Sequence, residues 1–186
     1  PQTIHPPPGI SRRIMNNKQS GDLGEKEIVD LVLCPNCGKK LMLLPQSYPL
    51  FDVQCTACSF RAQIKTNRGK PKNEIFGAGW DILEKTLKAG YLVPPLLVYF
   101  KWTKNNAIEC HEIRFYPFIP RVNIKKRILQ EGSRRAGYKM YNYTNIDKIP
   151  YFIVSSINAS KQPVGGVPSF LIEISNSRYF LETLAS

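Results

Sequence analysis

Residues 52–65 read DVQCTACSFRAQIK, and this stretch combines two patterns that decide which fold we expect. An acidic residue, Asp52, opens it, a C-x2-C pair follows, and Gln63-Ile64-Lys65 closes it. The alternation of apolar and polar residues on either side of the cysteines predicts two strands, over 51–54 and 60–66. We therefore expect a pair of strands that flanks a cysteine-bearing turn.

A matching C-x2-C pair lies earlier in the chain and completes a set of four cysteines. Seventeen residues separate the two pairs, Cys34/Cys37 and Cys55/Cys58. Two such pairs are typical of a structural Zn²⁺ site, in which four thiolates form a closed tetrahedron. Two disulfides or a thioredoxin-like redox pair are the alternatives, but disulfides need an oxidising compartment. The fifth cysteine, Cys110, is predicted to be a small strand residue.

The positive charge of the chain is concentrated in two segments. The 186 residues contain 26 Lys and Arg against 14 Asp and Glu, a formal net charge of +12. Residues 61–72 hold five basic and no acidic residues, and residues 121–139 hold seven basic residues and one acidic residue. Localised positive charge favours a polyanionic partner, usually nucleic acid, over a generally basic surface.

Composition also limits the class of protein. Hydrophobic residues make up 42% of the chain, which is enough for a packed core. No apolar run approaches the roughly 20 residues of a membrane span, and the amino-terminal residues PQTIHPPPG lack the basic and apolar pattern of a signal segment. We expect an intracellular, cytoplasmic protein with no membrane association. Residues 1–16 are predicted to form a basic, proline-rich arm, and residues 17–186 a single domain.

The remaining pattern predicts a mixed α/β domain (α+β) with a mixed sheet. We expect one helix from about residue 20 to 33 and a second over 78–89, where apolar residues line one side. Paired strands are predicted over 96–102 and 108–116. Further along the chain we expect a short basic helix over 123–130 and strands over 152–154 and 170–174.

The Asp52-x10-Gln63-x-Lys65 pattern contains residue types that metal-dependent hydrolysis requires. Gln63 and Lys65 are two apart on a strand, so they project to the same side, and Asp52 can reach that side if the strands pair. Oxygen ligands suit Mg²⁺, and a neighbouring ammonium can orient water and stabilise charge on a phosphate. A triplet of this kind is also common on solvated strand faces.

From about Cys34 to Ile153 the chain resembles the Dam-replacing family of restriction endonucleases. The features that carry the resemblance are CPNCG at 34–38, the Asp52-to-Lys65 pattern around CTACS, GAGW at 77–80, VYF-x2-TKN at 98–105 and SRRAGY at 133–138. The resemblance implies a PD-(D/E)XK nuclease, with a restriction-endonuclease-like core and a zinc ribbon over 34–58 inserted in its catalytic hairpin.

By this resemblance, Asp52 and Gln63, together with the main-chain carbonyl of Ile64, would hold catalytic Mg²⁺, and Lys65 would position the attacking water. The chain departs from the family at Gln63, where the family has an acidic residue, and an amide supplies less negative charge. Glu25 resembles the helix glutamate that many nucleases of this fold aim at the metal, and it would restore part of that charge. It is equally well explained as an exposed acid near a helix N-terminus.

The basic segments supply candidate contacts with double-stranded DNA. Phosphate contacts are predicted for six residues, and base-edge contacts in the major groove for an arginine pair, although any of the eight could contact only the backbone. The first group comprises Arg68, Lys70, Lys72, Lys125, Lys126 and Arg127 in the two segments, and the pair is Arg134 and Arg135.

The sequence therefore predicts an Mg²⁺-dependent type II restriction endonuclease that cuts double-stranded DNA, and we expect a homodimer for cutting both strands. Two alternatives stay open. One is a zinc-ribbon DNA-binding protein with a degenerate active site. The other is a repair or modification-dependent nuclease.

Overall fold

A computed structural model describes residues 17–104, 108–133 and 135–157. Within these ranges the secondary structure is mixed, as predicted. In chain order the elements are α1 (Asn17–Leu31), β1 (Leu41–Leu43), β2 (Val53–Cys55), β3 (Arg61–Arg68), β4 (Glu74–Ala78), α2 (Trp80–Lys88), β5 (Leu96–Lys104), β6 (Ile108–Tyr116), β7 (Ile124–Ile128), β8 (Lys139–Thr144) and β9 (Phe152–Ile157). The predicted arm over 1–16 and the predicted strand over 170–174 lie outside the described residues.

The larger sheet has six strands in the order β1-β2-β3-β5-β6-β9. Its neighbours pair antiparallel except for β3 and β5, which run parallel with Gln63 opposite Leu96 and Lys65 opposite Val98. A parallel pair needs a crossover connection, and here β4 and α2 lie on that connection. The mixed sheet and the predicted pairing of β5 with β6 are confirmed, and this pair is antiparallel.

The two faces of this sheet bury two separate cores. On one face α1 packs through Ile28 against Ile64 and the neighbouring apolar side chains of β5 and β6. On the other face Leu96, Val98 and Phe100 meet α2 and the second sheet. Because side chains alternate along a strand, Gln63 and Lys65 share the face of Leu96 and Val98. Gln63 and Lys65 therefore face away from the α1 core.

The second sheet has the order β4-β8-β7, and it corrects the prediction of a basic helix over 123–130. That segment is a 3-10 turn at Arg121–Asn123 followed by strand β7, which pairs antiparallel with β8. Backbone pairing with β8 outweighs the weak local helix signal, since lysine and arginine tolerate either state. The basic side chains on this edge strand also protect it from pairing with other chains.

The second helix also begins later than predicted. Residues 77 and 78 end strand β4, and α2 begins at Trp80 after Gly79, whose φ of 76° lies in the left-handed region that glycine tolerates. None of the helices within the described ranges is long and apolar enough to cross a membrane.

Candidate active site

The candidate site lies where strands β2 and β3 separate. The two strands pair only at Val53–Ala62 and Gln54–Arg61. One residue before β2, the carboxylate of Asp52 accepts the main-chain N–H of Ile64 at 2.6 Å. The N–H and C=O of a strand residue point to the same edge, so the Ile64 carbonyl also faces the side of Asp52. The break in the ladder thus presents a carboxylate and a main-chain oxygen at one edge of β3.

Lys65 lies beside this carboxylate. Its Nζ is 3.9 Å from Oδ2 of Asp52, and the two side chains are 21% and 26% exposed. Burial lowers the pKa of Lys65, an effect that the charges of Asp52 and Glu25 oppose. The ammonium of a lysine held beside a carboxylate in a partly desolvated place can donate hydrogen bonds to neighbouring oxygen atoms.

Helix α1 brings Glu25 to the same place. Burial raises the pKa of the Glu25 carboxyl, the charge of Asp52 raises it further, and Lys65 opposes the rise. Glu25, Asp22 and Asp52 line a cleft of about 280 Å³ together with residues 43–48. The structure therefore brings Glu25 together with Asp52 and Lys65, and it adds Asp22, which the sequence did not single out.

Gln63 has a different environment from the other three predicted residues. Its side chain is only 6% exposed, and its Oε1 accepts hydrogen bonds from the hydroxyls of Tyr141 at 2.9 Å and Tyr143 at 2.5 Å. Both tyrosines come from β8 of the second sheet and are buried. Their Tyr-x-Tyr spacing is a period-2 signal that could have placed them on one face of a strand, but nothing in it indicated Gln63 as their partner.

The oxygen donors at the cleft fit a divalent cation. Mg²⁺ and similar hard cations prefer carboxylate and carbonyl oxygens. Asp52, Glu25 and the Ile64 carbonyl supply such oxygens from three adjacent segments of chain. Mutual repulsion of the Glu25 and Asp52 charges is what a bound cation would relieve.

The four cysteines form a second, separate centre, as the sequence predicted. The Sγ atoms of Cys34, Cys37, Cys55 and Cys58 all lie within 4.8 Å of one another. The Cys34–Cys58 and Cys37–Cys55 pairs are 3.6 and 3.4 Å apart, close to the spacing of about 3.8 Å in a tetrahedron with metal–sulfur bonds of about 2.3 Å. The cluster could therefore hold a metal ion such as zinc.

The four thiols of the cluster have unlike surroundings. The side-chain amide of Asn36 donates to Cys58 and is the largest of several contacts that lower the pKa of that thiol to about 6, whereas burial raises the pKa of the Cys34 thiol. Cys34 and Cys55 are buried in the core under α1, so the cluster joins the β1–β2 edge of the sheet to that core. Cys110 lies on β6, outside the cluster, as a buried strand residue.

The predicted DNA-contacting residues fall on two surfaces. Arg68 ends β3, and Lys70 and Lys72 follow it on exposed positions that lead to β4. Lys125, Lys126 and Arg127 lie on strand β7. Arg135 lies in the loop between β7 and β8, and Arg134 falls outside the described residues.

The two surfaces meet at an exposed aromatic side chain. Phe76 on β4 is 44% exposed, with Lys72 at 5.9 Å and Arg127 at 5.1 Å from its ring centroid. Lys126, on the opposite face of β7, lies 5.7 Å from the ring of Trp80 instead. The basic triplet of β7 is thus divided between two faces of the second sheet.

Comparison with known proteins adds one match. The family model described as DpnI: Dam-replacing family matches residues 11–162, which leaves only the first ten and last 24 residues unmatched. A search of curated proteins found no match for the chain.

Proposed function

The chain belongs to the Dam-replacing family, and from this premise we propose that it is an Mg²⁺-dependent type II endonuclease that hydrolyses phosphodiester bonds in double-stranded DNA at a specific site. The family match supports a restriction nuclease acting on DNA. The cation, the site residues and the PD-(D/E)XK assignment rest on the geometry of the cleft. We further propose that the four-cysteine cluster holds structural zinc.

The observation that carries this proposal is the contact set of Asp52. Its carboxylate is fixed by the Ile64 N–H, lies 3.9 Å from the Lys65 ammonium and shares a cleft with Glu25. Residues 25, 52 and 65 come from a helix, a loop and a strand, so their convergence requires the tertiary fold. A solvated strand face would not bury a lysine beside a carboxylate in this way.

In this site Asp52, Glu25 and the Ile64 carbonyl would hold the cation. When bound, Mg²⁺ lowers the pKa of a water ligand and offsets negative charge on the scissile phosphate. Lys65 is placed to orient the attacking water by hydrogen bonding and to stabilise the charge that develops on the phosphate. We propose products with a 5′-phosphate and a 3′-hydroxyl. Gln63, the remaining ligand predicted from the motif, already accepts two hydrogen bonds.

DNA binding is assigned to the basic residues of the two surfaces. Arg68, Lys70 and Lys72 leave the strand that carries Lys65, so they are placed to contact phosphates close to the scissile bond. Arg127 and Lys72 flank an exposed phenylalanine, an arrangement suited to the backbone and bases of nucleic acid. Arg134 and Arg135 remain predictions for base contacts, and a homodimer remains a prediction for cutting both strands.

A plasmid digest tests the proposed function. Plasmids with and without adenine methylation are incubated with the protein, with and without Mg²⁺. We expect Mg²⁺-dependent cleavage, which Asp52→Asn and Lys65→Ala each abolish while DNA binding in a gel-shift assay persists. Asp81→Asn is the matched control, because Asp81 on α2 forms an exposed ion pair with Lys139 of β8 and does not line the cleft. Undiminished cutting by both site variants would refute the assignment.

A second candidate, a DNA-binding protein with a degenerate site, is favoured by one observation. Residue 63 is an amide, and it offers the site no negative charge. This candidate predicts binding that weakens steeply with salt and no cleavage of either plasmid at any Mg²⁺ concentration. A modification-dependent nuclease, the third alternative, would cut only the methylated plasmid.

A further inference from the structure

The carbonyl oxygen of Gln63 has no free lone pair for a metal ion. An amide oxygen accepts through two lone pairs, and the hydroxyls of Tyr141 and Tyr143 occupy both, at 2.9 and 2.5 Å. The three side chains are 6%, 1% and 0% exposed, so solvent cannot replace either contact. A metal ligand at this oxygen would have to displace a buried hydroxyl.

The hydroxyls themselves require an acceptor, which determines the orientation of the amide. Tyr141 and Tyr143 lie 3.4 Å apart, so one hydroxyl can donate to the other. If the amide nitrogen of Gln63 faced both hydroxyls, one buried O–H would be left without an acceptor. A buried hydroxyl without an acceptor costs more free energy than a hydrogen bond contributes. The carbonyl oxygen of Gln63 therefore faces the two tyrosines.

The second sheet is shaped to bring Tyr141 to this position. Tyr141 lies directly opposite Gly77 in the β4–β8 ladder. A Cβ at position 77 would lie 2.2 Å from Cε2 and 2.4 Å from Cζ of the Tyr141 ring. The ring thus occupies the space that the absent side chain leaves, and the next inward-facing residue of β8 is Tyr143. Gly77 leaves room for the Tyr141 ring, and Tyr141 and Tyr143 together bind the Gln63 amide.

We propose that Gln63 is a hydrogen-bond anchor that fixes the second sheet to the catalytic strand, and that the side chains that hold the divalent cation are those of Asp52 and Glu25. This proposal rests on the proposed nuclease function and refines its ligand set. It explains how a neutral side chain occupies the acidic position of the motif. The charge that residue 63 lacks is supplied from helix α1 by Glu25, whose carboxyl shares the cleft of Asp52.

The first arm of the test measures Mn²⁺ binding to the full chain by isothermal titration calorimetry without DNA. Asp52→Asn and Glu25→Gln should each weaken Mn²⁺ affinity by about tenfold or more. Gln63→Leu should leave the affinity close to that of the wild type. An affinity loss in Gln63→Leu as large as that in Glu25→Gln would overturn the proposal.

The second arm measures urea unfolding of metal-free protein and keeps the proposal testable if Gln63→Leu is too unstable to titrate. Gln63→Leu removes the shared acceptor of two buried hydroxyls, of which only one can then donate to the other, and this variant should unfold at a lower urea concentration. Adding Tyr141→Phe and Tyr143→Phe to it removes those hydroxyls and should restore much of the loss. Strictly additive losses would overturn the anchor. Wild-type protein that binds no Mn²⁺ would refute the proposed nuclease site, while the unfolding arm would still decide the anchor.

Discussion

The packing of α1 on β3 makes the substitution Gly24→Ala a sensitive probe of the site. A Cβ on Gly24 would lie 2.0 Å from Oγ1, 2.8 Å from Cγ2 and 2.9 Å from Cβ of Thr66. Thr66 carries two heavy atoms, Oγ1 and Cγ2, on its Cβ. Whichever staggered rotamer it adopts, at least one of these two atoms still occupies a position that clashes with the added Cβ. The helix must therefore move away from the sheet.

Gly21→Ala is a control within the same helix, since a Cβ there meets nothing within 4 Å. Alanine should stabilise a helical position by about 0.8–1 kcal/mol relative to glycine. At position 24 an overpacking cost of about 1–3 kcal/mol opposes that gain. We therefore expect the free energies of unfolding of the two variants to differ by about 1–3 kcal/mol in favour of Gly21→Ala.

Urea unfolding followed by circular dichroism measures this difference, and Mn²⁺ titration measures its effect on the site. Because Glu25 adjoins Gly24, a displaced helix should also weaken Mn²⁺ binding in Gly24→Ala and leave it unchanged in Gly21→Ala. Thr66→Ala should partly restore both properties, since it removes the two nearest atoms. Equal stability of Gly24→Ala and Gly21→Ala would refute the close approach of α1 to β3.

Three further outcomes are expected from other parts of the molecule. Cys55→Ser should release bound zinc and lower the unfolding temperature, whereas Cys110→Ala should keep its full zinc content. Elemental analysis measures the zinc content and thermal unfolding measures the stability. Full zinc content in Cys55→Ser would contradict the proposed zinc site. Burial lowers the pKa of His111 below 6.5, so the contribution of its neutral ring to stability is present above pH 6.5 and is lost as the pH falls through the folded-state pKa. The stability advantage of the wild type over His111→Gln should therefore shrink on acidification. A difference in stability that does not change with pH would contradict this. Gly77→Ala should force the Tyr141 ring aside and destabilise the protein by about 1–3 kcal/mol, measurable by urea unfolding; wild-type stability would show that the ring does not occupy this space.

The sequence could predict those parts of the site whose signals are local. The two C-x2-C pairs predicted a cluster because four cysteines at that spacing are typical of a metal site. The structure confirms that the four cysteines lie together. The β5–β6 hairpin is likewise confirmed, since its two strands are adjacent in the chain. Asp52 and Lys65 are only 13 residues apart, so strand pairing alone was enough to bring them together.

Features that depend on distant pairing could not be predicted in the same way. Strand β7 was mistaken for a helix because its partner, β8, lies beyond a loop and its own residues have no strong preference. The environment of Gln63 was missed for the same reason, because Tyr141 and Tyr143 are about 80 positions away in the chain. Their Tyr-x-Tyr spacing revealed a shared face but no partner, which only the packing of one sheet on the other supplies.

Sequence separation divides the contacts of the site into an early and a late group. The Asp52 bonds to Ile64 and Lys65 close loops of 12 and 13 residues, whereas Tyr143 reaches Gln63 across 80 residues. Short loops close at a lower entropic cost and sooner than long ones. As the chain leaves the ribosome, the acidic cleft can form before β8 has been synthesised. A nascent chain would thus assemble its charged groups first, and the tyrosines would secure β3 only once nearly the whole described fold is present.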